Sequence, residues 1–251
     1  MTQTEWLPVP GIRLAAIEAG IKKANRKDLV VLELGEGTRV SGVFTLNRFC
    51  AAPVQVAKSR LALGTPKYLM INTGYANAGT GKKGMDNCLA SCRLLADAAG
   101  CAEEQILPYS TGVIGEQFPL TAFATGLPKA LAELDEHHWG RASEGIMTTD
   151  TYPKLTSRRV EIDGVPITVT GMAKGSGMIK PNMATMLGFI ATDAPIAKPL
   201  LDEWVKALAD KSFNRVTVDG DTSTNDACML ISTGVAPMPE IQSLDDHSQL
   251  L

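Results

Sequence analysis

Thr185 stands at the head of an apolar run, MLGFI, and at the end of a loop, KGSGMIKPNMA, constrained by Gly175, Gly177 and Pro181. Glycine opens backbone angles closed to other residues, and proline fixes its own. A hydroxyl so placed can attack the carbonyl of the residue before it, Ala184. Breaking that bond leaves a free α-amine beside the hydroxyl. Such an amine, with a reference pKa of about 7.7–8.0, can serve as base for its own hydroxyl near neutral pH. An ordinary lysine, at about 10.4, is mostly protonated there. On spacing alone, a plain strand threonine accounts for Thr185 more simply, since most threonines in such runs are structural.

Other chemical motifs fail on their own terms. In ANAGTGKK, Ala76 occupies the first glycine position of a phosphate-binding loop, and Lys83 stands where Ser or Thr should hold magnesium. Gly175-Ser-Gly177 lacks the third glycine of a dinucleotide fingerprint, with Lys180 in its place. Asp219-Gly-Asp221 opens like a calcium loop, but Thr224 and Leu230 replace its required glycine and glutamate. Cys88 and Cys92 are four apart on a helical stretch, and with only 3 histidines in the chain no zinc ligand set is expected.

Composition narrows the classes further. The chain has 251 residues, 45% hydrophobic and 20% charged, enough for one large domain without disulfide or metal staples. A net charge of −3 supplies no basic field for nucleic acid or anionic lipid. No apolar run approaches the roughly 20 residues that span a bilayer, and the first residues lack the pattern of a secretory signal. An odd count of 5 cysteines reads as reduced thiols in a cytoplasmic protein.

The elements that must position Thr185 can be sketched. Residues 28–34, 40–46 and 68–72 read as strands, and a helix from about Met85 stops at Gly100. A helical pattern over 120–134 is interrupted by Gly126 and Pro128. Strands at 159–162 and 167–170 flank Asp163-Gly164, a hairpin signal. A helix at 199–211 carries an apolar stripe of Leu201, Trp204, Val205 and Leu208. Further strands are expected at 215–218 and 229–232. Without a strict β-α-β rhythm, this mixture favours a layered α+β fold. The tail from Ser243 opens like a helix, with a capping serine and acidic first turn, and then stops, like an element cut short.

The string KGSGMIKPNMATML closely resembles the self-cleavage segment of the ornithine acetyltransferase (ArgJ-type) family, bifunctional glutamate N-acetyltransferases of arginine biosynthesis. Five further blocks resemble the family in its own order: RFCAAPVQVAKSRL, INTGYANAGTG, STGVIG, GIMTTDTYPK and TVDGDTSTND. The resemblance implies that Thr185 is the nucleophile and Ala184–Thr185 the self-cleavage bond. It implies that Thr111 and Gly112 form the oxyanion hole, where residue types alone suggest a loop turn. Thr148 and Lys174 match substrate-binding positions; a lysine ammonium suits an α-carboxylate, though a solvated surface lysine is the plainer reading.

The implied reaction is ping-pong acetyl transfer from N2-acetylornithine to glutamate through an acetyl-threonyl enzyme, with acetyl-CoA as a further donor in bifunctional members. It needs no metal or bound organic cofactor. The implied fold is a layered α/β/β/α sandwich of the N-terminal-nucleophile-like type, and the implied assembly is a heterotetramer of two α and two β chains. Residues 1–184 and 185–251 are then cleavage products of one fold, the second incomplete. Two departures stand out: Tyr75 replaces the commoner asparagine, and the family's C-terminal glutamate, asparagine and threonine have no counterpart here. The alternatives are a related N-terminal-nucleophile aminopeptidase or amidase, which passes the acyl group to water, and an inactive truncated fragment.

Overall fold

The computed structural model describes residues 6–64, 66–180 and 186–243. The described residues form, in chain order, β1 (Ile12–Ile17), β2 (Leu29–Leu34), β3 (Arg39–Phe44), α1 (Ala52–Leu61), β4 (Tyr68–Tyr75) and α2 (Gly81–Ala99). Then come β5 (Ile106–Val113), α3 (Leu120–Ala132), α4 (Trp139–Gly145), β6 (Lys154–Ile162), β7 (Val165–Lys174), β8 (Leu187–Thr192), α5 (Lys198–Lys211) and β9 (Ala227–Ser232). One sheet has the order β1-β2-β4-β5 and the other β3-β9-β8-β7-β6. The β4–β5 and β8–β9 pairs are parallel.

Side-chain alternation stacks these sheets. Val30 and Leu32 of β2 join Leu69 and Ile71 of β4 in a core shared with Phe189, Met229 and Ile231 of the second sheet. Their neighbours Leu29, Val31 and Met70 face the other way, under Leu95 of α2 and Phe123 and Leu127 of α3. On the far side, Leu201, Trp204 and Val205 of α5 cover Ile167 and Leu230. Helix, sheet, sheet and helix follow in that order, the α/β/β/α sandwich expected. A strand covered on both faces reads as a continuous apolar run, which is why β2 opens with LVVL, Glu33 following where burial is incomplete. Each fully buried aliphatic side chain in these layers contributes about 1.5–3 kcal/mol.

The hairpin forms where Asp163-Gly164 places it, with φ of 51° and 79°, both positive as a two-residue primed turn requires. Gly100 ends α2 in the left-handed conformation. Three expectations need correction. The helix expected from Met85 begins at Gly81. Gly126 and Pro128 do not interrupt α3: a Cβ at Gly126 would lie 2.9 Å from Ala19, so glycine lets the helix sit close on its sheet. The carbonyl that Pro128 leaves without an amide belongs to Ala124, which is exposed and can bind water. Residues 215–218 are not a strand. The Val218 amide and Thr217 hydroxyl instead donate to the Ile179 carbonyl, at 3.0 and 3.1 Å, so this segment braces the loop after β7. The tail expected to open as a helix lies, from residue 244, outside the described residues.

Candidate active site

The parallel strands β4 and β5 end side by side, with Thr73 opposite Thr111, Gly74 opposite Gly112 and Tyr75 opposite Val113. Gly112 has φ +136°, and a Cβ there would lie 2.2 Å from the carbonyl carbon of Gly74. No side chain fits, so glycine is required at this place, and the Gly112 backbone stays accessible while Thr111 is buried.

The second sheet brings Lys174 to the same point. Lys174 is the last residue of β7, and Leu187, the first residue of β8, lies opposite it. Its Nζ donates to Thr111 Oγ1 at 3.0 Å, a bond between the two sheets. Lys174 is buried, so the reading as a solvated surface lysine does not hold. Burial pushes its pKa below the ordinary lysine value, while Asp150 and Asp226 pull it back up.

Asp150 ties the turn beyond Lys174 to the TTD run. Its side chain is 1% exposed and accepts from Lys154 Nζ at 2.5 Å. The amides of Gly175, at 2.8 Å, and Thr148, at 3.2 Å, donate to it as well. Burial works against this carboxylate, yet Lys154, the two amides and Lys174 hold its pKa below the ordinary aspartate value. Farther along the loop, the Met178 amide donates to Asp219 Oδ2 and the Ile179 amide to Asp219 Oδ1, the latter at 2.8 Å.

A cavity of about 530 Å³ opens here, and Thr111, Gly112, Thr148 and Lys174 all line it. Four of the expected site residues therefore meet in one place. Ala184 and Thr185 lie outside the described residues. Also on the wall are Lys22, Arg26, Thr73 and Asn225, which the sequence reading did not single out. Asn225 sits in the TVDGDTSTND block, which was a usable signal; Lys22 and Arg26 had only a basic run, KKANRK, to mark them. Among the described residues, no three His, Cys, Asp or Glu side chains are grouped to hold a metal ion.

The family model of the ArgJ family matches residues 13–250. The chain belongs to the ArgJ family. An ArgJ relative, the arginine biosynthesis bifunctional protein ArgJ of Pseudomonas syringae pv. tomato, is 56% identical over 234 residues. That match takes in 93% of this chain but 58% of the relative's length. The ornithine acetyltransferase of Mycobacterium tuberculosis, solved with ornithine, is 30% identical with a TM-score of 0.61, over 70% of this chain and 93% of that one. An L-aminopeptidase D-Ala-esterase/amidase of Ochrobactrum anthropi, described as a variant Ntn hydrolase fold, covers 96% of this chain and 78% of its own. At 15% identity and a TM-score of 0.54, that likeness shows the shared fold alone.

Proposed function

We propose that this ArgJ-family protein is an acetyltransferase of arginine biosynthesis, moving acetyl from N2-acetylornithine to glutamate by way of Thr185. The observation that carries the reading is the Lys174–Thr111 bond between the sheets, at the head of the strand that follows Thr185. Met186, the next residue, has its carbonyl held by the Ala227 amide at 3.0 Å.

The reaction then runs in two stages. In maturation, the Thr185 hydroxyl attacks the Ala184 carbonyl, the amide C–N bond breaks as an ester forms, and water hydrolyses the ester. The products are an Ala184 carboxylate and a Thr185 α-amine. In turnover, the α-amine takes the hydroxyl proton as Oγ attacks the acetyl carbonyl. The charge that develops on the carbonyl oxygen is met by the Thr111 hydroxyl and the Gly112 amide. Because Thr111 Oγ1 accepts from Lys174, its own proton stays free to donate, and the ammonium makes it a stronger donor. Losing such a donor typically costs about 2.7–4 kcal/mol of barrier.

The proton passes to the leaving ornithine amine, and the glutamate amine then attacks the acetyl ester. Acetyl-CoA would enter by the same attack, with its thiol as the leaving group. In this reading Lys174 and Thr148, both on the cavity wall, hold the substrate's α-carboxylate end. No resident metal or organic cofactor enters these steps, and the assembly proposed is two front and two back pieces. All five cysteines are free, which suits a reducing, cytoplasmic setting. No described helix is long and apolar enough to cross a membrane.

Intact mass of the complete gene product should show two pieces meeting at Ala184/Thr185, and Thr185→Ala should give one uncleaved, inactive chain. Full activity in Thr185→Ala would falsify the mechanism. Acetylornithine incubated with glutamate should yield acetylglutamate; free acetate alone would favour the amidase alternative, and no turnover the inactive one.

A further inference from the structure

Asn225 lies in the TVDGDTSTND stretch, to which the mechanism above gives no task. It is buried, and every hydrogen-bonding group of its side chain is used. Nδ2 donates to the Ala76 carbonyl at 2.6 Å and to the Ser110 carbonyl at 3.0 Å. Oδ1 accepts from the Thr224 hydroxyl at 2.6 Å. Both protons of the amide nitrogen are thereby committed to carbonyls of the other sheet.

Those two carbonyls lie at the strand ends that carry the proposed oxyanion pair. The Ser110 carbonyl belongs to the rigid peptide plane that leads into Thr111, so holding it fixes the entry to the residue whose hydroxyl is the proposed donor. Ala76 follows β4 directly, and its amide donates to the Val113 carbonyl at 2.9 Å. One side chain thus grips the chain just before Thr111 and the strand partner just beyond Gly112. From the other direction, Asn225 is two residues before Ala227, whose amide holds the carbonyl of Met186. Residues 225–227 therefore connect the oxyanion donors to the residue beside Thr185.

We infer that Asn225 is a positioning residue for acyl transfer, fixing the separation between β8 and the Thr111–Gly112 donors through its bonds to the Ala76 and Ser110 carbonyls. This rests on the acetyl-transfer reading. An amide that merely tied the fold together would change the melting temperature and leave turnover alone. A positioning amide lowers kcat more than it changes KM, because a misplacement of about 1 Å can cost roughly 100-fold in rate.

Asn225→Asp in the complete gene product keeps the side chain's shape and replaces the donor with an oxygen that repels both carbonyls. With acetylornithine and glutamate, kcat should fall about 10- to 100-fold while KM stays within about threefold. Thr111→Val removes the donor through which Asn225 acts. In that background Asn225→Asp should cost far less than in the wild type, since effects through one shared group are not additive. Additive losses, or wild-type kcat in Asn225→Asp, overturn the inference. If Asn225→Asp is not recovered folded, Asn225→Ala takes its place in the same cycle; if neither folds, Asn225 is a structural tie and the inference is overturned too. A wild type that releases acetate without making acetylglutamate overturns the transfer reading instead, and the cycle read on acetate release still decides Asn225. A wholly inactive wild type overturns both.

Discussion

Burial strips water from the Lys174 ammonium and lowers its pKa, and Asp150 and Asp226 only partly restore it. The charged form is the one that strengthens Thr111 as a donor and meets a carboxylate. Activity should therefore fall as pH rises through the folded-state pKa, so the alkaline limb of kcat/KM should lie below the usual lysine value of about 10.4. The sign for stability is opposite. A lysine whose pKa is lowered on folding binds fewer protons folded than unfolded between the two values, so its contribution to stability rises with pH there. Loss of activity over this window should thus occur without a drop in melting temperature from this group. Lys174→Arg, charged at all accessible pH, should move the limb upward; an unchanged pH–rate profile would remove Lys174 from the mechanism.

At the scale of elements, the site depends on two parallel strand ends lying closer than side chains allow. Gly112→Ala would drive a methyl group to 2.2 Å from the Gly74 carbonyl carbon, at a backbone φ of +136°. The strained conformation alone costs on the order of 1–3 kcal/mol, and the clash moves β4 from β5. Urea unfolding should show at least that loss, and kcat should fall about 100-fold as the amide leaves its place. Native stability with full activity would mean the donor lies elsewhere. The loop after β7 is held in a comparable way, by Asp150 at Gly175 and by Asp219 at Ile179.

Across the whole molecule, the bond before Thr185 joins neighbours in one sheet. Lys174 ends β7, Leu187 begins β8, and β8 lies between β7 and β9 in mid-sheet. Its Leu187, Phe189 and Ala191 are buried in the core shared by both sheets. Pulling the pieces apart would expose that core and leave two ladders unpaired, each at substantial cost. After cleavage, residues 1–184 and the piece from 185 should stay together in native size-exclusion chromatography and separate in denaturing electrophoresis. Separation in plain buffer would show that the sheet does not hold them.

Much of this was legible along the chain because it is local. The Asp163-Gly164 turn, the stripe of α5 and the apolar runs of β2 and β8 are set by neighbours a few residues apart, and the motif blocks named Thr111, Gly112, Thr148 and Lys174 before any coordinates. Local rules misled where packing outweighed them: α3 runs through Gly126 and Pro128 because its buried face rests on the first sheet, and residues 215–218 bind Ile179 instead of pairing as a strand. The block around Asn225 was legible but the bonds of its side chain were not, since their partners lie 149 and 115 residues away. Sequence alone determined the apolar runs, the turn and the motif blocks that mark the ArgJ family. Only the stacking of two sheets decided that a lysine from one meets a threonine from the other at 3.0 Å, because that meeting depends on how buried faces pack and not on any spacing along the chain.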